Sequence, residues 1–110
     1  MGKKFLHYLD AQKLYTCKNC KAHLSSKSQL QSKDFWAGNG KAFLFSEVVN
    51  VFDGQCEERM LRTGLHSVCD IFCVNCKQRV GWKYNWAFEH DQKYKEGKAI
   101  LERNLIDKLD

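Results

Sequence analysis

The 110-residue sequence predicts a mainly β domain with little helix. Three observations carry that expectation. From Val80 to Phe88 the pattern alternates, with Trp82, Tyr84, Trp86 and Phe88 on one side and Lys83, Asn85 and Ala87 on the other. A period of two across aromatic residues belongs to a strand. From Ala42 to Phe52 both sides are largely apolar, with Phe43, Phe45, Val49 and Val51 facing one way and Leu44, Val48 and Phe52 the other. That pattern suits a strand in the middle of a sheet. Finally, two Cys-x-x-Cys turns, Cys17-Lys18-Asn19-Cys20 and Cys73-Val74-Asn75-Cys76, bracket 52 residues, so a shared cation would fasten two distant parts of the chain.

The elements follow in order. Gly38-Asn39-Gly40 launches the Ala42–Phe52 strand, since Asn-Gly is a strong tight-turn step. Asp53-Gly54 is expected to end it in another turn. Arg59–Arg62 and Val68–Phe72 read as short strands joined through Thr63-Gly64, the second running into Cys73. Asp91–Glu96 suits a helical turn stopped by Gly97. The tail is open: Leu101, Leu105 and Leu109 follow helical spacing, yet Ala99–Ile106 serves equally as a closing strand.

Composition bounds the function. The length suits one domain, and 44% apolar residues are enough for a core. No run approaches the roughly 20 apolar residues of a membrane span. The first residues lack the apolar stretch of a secretory signal, and Leu6 stands where a myristoylation signal needs Ser or Thr. A reducing compartment is therefore expected, in which paired Cys-x-x-Cys motifs are metal ligands rather than disulfides. The net charge of +5 is uneven: residues 1–52 carry eight Lys against three acids, including Lys18, Lys21, Lys27, Lys33 and Lys41. No tight cluster or arginine appears there, so a solvated basic face is the expectation and nucleic-acid binding the alternative.

Cys17, Cys20, Cys73 and Cys76 are the candidate ligands of one zinc ion. Four thiolates fill its tetrahedron, which makes the metal structural. A thioredoxin-like dithiol needs one pair opening a helix after a strand, and neither pair has that setting. His23, three residues after Cys20, is expected beside the site rather than on the metal. Cys69 on a strand with Cys73 stands roughly 13 Å from it, too far to share an ion, and is expected to be an ordinary half-buried residue. Cys56 is placed in a polar loop with Gln55, Glu57 and Glu58, where carboxylates disfavour its thiolate. Gly40-Lys41 lacks the other residues of a phosphate loop. His7 and His90 give no signal.

The two zinc turns with their spacing, Gly40-Lys41-Ala42-Phe43-Leu44-Phe45, Val48-Val49-Asn50 and Thr63-Gly64-Leu65-His66 resemble a Yippee-like protein. So do Asp70-Ile71-Phe72-Cys73, Gly81-Trp82-Lys83-Tyr84 and Gln92-Lys93-Tyr94-Lys95-Glu96-Gly97-Lys98 with Ile100-Leu101-Glu102. The resemblance covers essentially the whole chain. It implies a single domain over residues 1–110, core about 13–107, with two antiparallel sheets meeting at a four-cysteine zinc site. This arrangement is called a β-tent and is shared with the ligand-binding domain of cereblon, Mis18 proteins and B-type methionine sulfoxide reductases. It makes the tail a strand. It also implies a non-catalytic protein-interaction module in the nucleus and cytoplasm, a regulatory subunit in cell growth or division with partners such as ubiquitin-ligase subunits.

Two further candidate sites follow. His66, Trp82 and Tyr84 are candidates for a ligand or peptide pocket, since the matching Gly-Trp-x-aromatic of cereblon-like domains lines an aromatic cage. Two further cage tryptophans have no counterpart here, which disfavours an imide ligand. Phe5 and Leu6, after two lysines, are candidates for a partner-binding N-terminus. A sulfoxide reductase would need a reactive Cys69 near His66, with only Arg62 to favour its thiolate, and is the least favoured reading.

Overall fold

The computed structural model describes Leu9 and residues 13–109, and within them nine strands form two antiparallel sheets. In chain order these are β1 (Leu14–Cys17), β2 (His23–Ser26), β3 (Leu30–Ala37), β4 (Gly40–Phe45) and β5 (Val51–Leu61). They continue with β6 (Gly64–Cys73), β7 (Arg79–Ala87), β8 (Ala99–Glu102) and β9 (Ile106–Leu109). The small sheet has the order β2-β1-β9 and the large one β3-β4-β8-β7-β6-β5. The tail is therefore two strands. β8 sits inside the large sheet, and β9 pairs with β1 from Leu14↔Leu109 to Cys17↔Ile106.

The main core lies between the sheets. Tyr15, Leu24 and Ile106 of the small sheet meet Phe43, Phe45, Ile71, Val80 and Leu101 of the large one. Tyr15 packs edge-on against both Phe43 and Phe45, with ring centroids 6.2 and 5.1 Å away. Each such buried side chain contributes about 1.5–3 kcal/mol relative to exposure. The opposite face of the large sheet carries a second cluster of Ala42, Leu44, Val68, Tyr84 and Ile100, flanked by Phe35, Leu61 and Trp82. Both faces of β4 are thus covered, and it is interior, as its two-sided apolar pattern requires.

The run Ala42–Phe52 is not one strand. It breaks between Phe45 and Val51, where Ser46 N–H donates to Gln29 in the turn before β3 and Val49 N–H to Leu24, the second bond tying the segment to the small sheet. Asn50 takes a left-handed conformation (φ 60°), and its side-chain amide donates to the His23 carbonyl at 2.6 Å. The break resets the alternation, so Val48 and Val51 both join the core between the sheets. Asp53-Gly54 does not end a strand either: β5 runs through it with a bulge between Asp53 and Cys56 and continues to Leu61.

The aromatic face of β7 is interrupted as well. A register shift opposite Ser67/Val68 intervenes, and Phe88 lies beyond the strand, 66% exposed. Gly81 marks the closest approach of β7 to its neighbour: a Cβ there would sit 1.8 Å from the Ile100 carbonyl oxygen. The expected helical turn is a 3-10 turn over His90–Lys95, followed by Gly97 at φ 80°.

Candidate metal centre and adjoining cleft

Each cysteine pair forms a tight turn at the end of a strand. Cys17 closes β1 and Cys73 closes β6. In the first turn Lys21 N–H donates to the Cys17 carbonyl at 2.8 Å, and Cys17 N–H to Ala22 at 2.9 Å. The second repeats it, with Lys77 N–H to Cys73 at 2.8 Å and Cys73 N–H to Gln78 at 2.9 Å. Lys21 and Lys77 are both left-handed, φ 67° and 68°. The duplication visible in the sequence is thus a duplication of backbone geometry.

The fold brings the two turns face to face. Cys17 Sγ lies 3.6 Å from Cys76 Sγ, and Cys20 Sγ 3.5 Å from Cys73 Sγ. All four sulfurs lie within 4.8 Å of one another. Zinc–sulfur bonds of about 2.3 Å in a tetrahedron put sulfurs about 3.8 Å apart, so the donor set fits one zinc. Burial pushes the Cys17 thiol up to about 12 and raises Cys73. Cys76 is drawn down to about 6: burial opposes ionisation, but hydrogen bonds from the Asn19 side chain and Gln78 backbone outweigh it. Four sulfurs this close cannot all ionise without a cation, and a dication supplies the charge that lets them. Zinc held here contributes folding free energy and keeps no position for substrate. His23 stands apart from the four donors, its Nδ1 accepting from the Leu9 N–H at 3.0 Å.

Cys56 and Cys69 depart from expectation. Cys56 lies on β5, not in a loop, directly opposite Cys69 on β6 with Cα atoms 4.0 Å apart, and the two are joined as a disulfide. Cys69 is fully buried rather than half-buried. The bulge after Asp53 creates this register, and no local pattern in the sequence announces a bulge of that size. The thiols are therefore not all free: four are, and those four form the cluster suited to a single zinc.

On the far face of the large sheet lies a cleft of about 580 Å³. Trp82 and Tyr84 line it with Phe35, Tyr94, Gln92 and Lys95. His66 does not. It is buried behind Tyr84, ring centroids 5.4 Å apart, with Nδ1 2.9 Å from the Gly64 carbonyl. Burial raises the Tyr84 phenol above its ordinary value. Lys95 is the residue the sequence reading missed; its only signal was a cationic side chain beside Tyr94 in a turn. Phe5 and Leu6 lie outside the described residues. A basic cluster also appears that chain order had hidden. Lys13, Lys33 and Lys108 lie close enough to Lys27 for their charges, Lys13 foremost, to lower its pKa.

Comparison with known proteins agrees with this architecture. A family model described as Yippee zinc-binding/DNA-binding/Mis18, centromere assembly, matches residues 13–110. A yippee-like protein of Arabidopsis thaliana is 54% identical over 102 residues, covering 93% of this chain and 84% of that one. Protein yippee-like 3 of Homo sapiens is 54% identical over 103 residues, covering 93% and 87%. The crystal structure of the Mis18 "Yippee-like" domain superposes with a TM-score of 0.70 at 14% identity, over 89% of this chain and 95% of that one, a likeness of fold.

Proposed function

The chain belongs to the Yippee–Mis18 family of zinc-binding domains, and on that premise we propose that it is a non-catalytic protein-interaction module. In this reading it is a regulatory subunit of a larger nuclear and cytoplasmic assembly, such as a ubiquitin-ligase complex, with a role in cell growth or division. The observation that carries the reading is the closed donor set: four cysteines and one metal leave the zinc to hold shape. The other thiol candidate for chemistry, Cys69, is buried and bonded to Cys56, which weighs against a sulfoxide reductase. Affinity purification of the zinc-loaded chain, with and without residues 1–8, tests the reading. Specific recovery of ligase subunits that depends on those residues is expected, and equal recovery from the truncated chain removes the N-terminal contact. Turnover of a methionine sulfoxide peptide with a dithiol reductant would overturn the non-catalytic assignment.

A nucleic-acid-binding module is the second reading, favoured by the crowding of Lys13, Lys33 and Lys108 around Lys27. Phosphate binding by such a cluster weakens steeply with salt. A gel shift that disappears between low and physiological salt, and that Lys27→Glu abolishes, selects this reading over the first.

A further inference from the structure

Lys95 is only 3% exposed. Its ammonium donates to the Thr63 hydroxyl at 3.0 Å and faces the rings of Phe35, Tyr84 and Tyr94 at 5.2, 5.3 and 6.0 Å. Among the described residues no carboxylate lies within 4.0 Å of it. A buried ammonium is costly unless paired, and ring faces offset only part of that cost. Burial accordingly draws its pKa down, with the field of Asp91 acting the other way. Two more polar atoms of the cleft's lining residues are buried without a hydrogen bond of good geometry: Gln92 Oε1, and Trp82 Nε1, whose N–H lies near enough to the Tyr84 phenol to favour its ionised form. Asp34 and Arg62 stand exposed at the rim with opposite charges, which leaves Lys95 as the buried charge.

An aromatic cage ordinarily receives a cation from outside. Here a cation of the chain itself already fills it, so the cleft selects the opposite charge. We propose that it receives an N-acylated apolar amino acid with a free carboxylate, the chemistry of a peptide's C-terminal residue. The carboxylate meets Lys95 Nζ and the Trp82 indole N–H, and the amide N–H adjacent to the carboxylate-bearing carbon donates to Gln92 Oε1. The apolar side chain lies against Phe35 and Leu61, which line the same cleft. This assignment deepens the interaction-module reading, and rests on it for the peptide source. The same chemistry on a free N-acyl amino acid needs no partner protein.

The test uses the full zinc-loaded chain, with N-acetyl-phenylalanine, its C-terminal amide, a decapeptide ending in Phe and a trimethyl-lysine peptide as probes. The indole N–H resonance of Trp82 reports occupancy in the parent and Lys95→Met chains, and titration calorimetry reads binding in all chains, Trp82→Phe included. The acid is expected to bind at least tenfold more tightly than the amide, and the trimethyl-lysine peptide to cause no shift. A decapeptide tenfold tighter than the free acid assigns the source to a chain terminus; equal affinity assigns it to the free acid. Lys95→Met should lose the preference for acid over amide, and Trp82→Phe, which keeps the wall but removes the N–H, should weaken acid binding severalfold. Zinc content and a dispersed spectrum establish that each variant is folded. Equal binding of acid and amide, no binding of either acid, or an unchanged preference in folded Lys95→Met overturns the proposal. Retained partner recovery alongside such a result leaves the interaction reading standing without it.

Discussion

Lys21 and Lys77 share one backbone conformation, φ 67° and 68°, each one residue past the second cysteine of its turn. The left-handed residue lets the chain fold back so that Cys17 and Cys73 N–H groups reach Ala22 and Gln78. It costs a residue with a Cβ about 1–2 kcal/mol. Lys21→Gly and Lys77→Gly should therefore be tolerated, while Lys21→Val and Lys77→Val should be less stable than the glycine variants by about 1–2 kcal/mol. Both members of each comparison lack the lysine side chain, so denaturant melts isolate the backbone term. Equal midpoints would mean that the turns relax.

One zinc per chain is expected by native mass spectrometry. Cys73→Ser should lose the metal and the cooperative melt, because the site fastens turns 53 residues apart. Excess chelator should do the same to the parent chain. Acid should release zinc, since protons compete for the thiolates, so metal-dependent stability is present at neutral pH and lost as pH falls. A chelated chain with an unchanged melt would show the metal to be dispensable.

The Cys56–Cys69 bridge makes a chemical prediction. Alkylating the denatured, metal-stripped chain should modify four cysteines before reduction and six after it. A Cys56→Ala/Cys69→Ala chain should be less stable than the oxidised parent by roughly 3 kcal/mol, from the entropy a cross-link removes from the unfolded state. Six modified cysteines without reductant would indicate a free dithiol.

Gly81→Ala should be among the most destabilising single changes, because its Cβ would meet backbone of β8 rather than a movable side chain. A loss above about 4 kcal/mol is expected, or failure to fold. Gly38→Ala is the control, with nothing within 4 Å of the added Cβ, and should change stability by less than about 0.5 kcal/mol. Similar melts for the two would mean that β7 and β8 can separate without loss.

Local chemistry was legible and register was not. The sulfur cluster could be read because Cys-x-x-Cys spacing makes a turn on its own, and β4 because its two-sided apolar pattern needs cover on both faces. The break at Ser46–Asn50 could not be read from alternation, because the force holding it is the bond from Asn50 to His23 in the other sheet. Placing Cys56 in a loop failed for a related reason: a bulge near Asp53 moves it into register with Cys69. Lys95 was invisible because its partners, Phe35, Thr63 and Tyr84, come from three separate strands or turns. His66 was grouped with Trp82 and Tyr84 through the likeness to a cereblon-type cage, yet the strand it occupies turns it behind the cleft wall.

The pairing of β1 with β9 sets Leu14 directly across from Leu109, a gap of about 5 Å. In a chain trimmed to residues 14–109 a linker of a few residues can bridge it, and the exposed Gly38-Asn39 turn offers a place to open the backbone. A circularly permuted chain starting at Asn39 would keep both zinc turns and β4 through β9 intact. It would also move the attachment point for a tag or a tethered reporter from the small sheet to the rim of the far face.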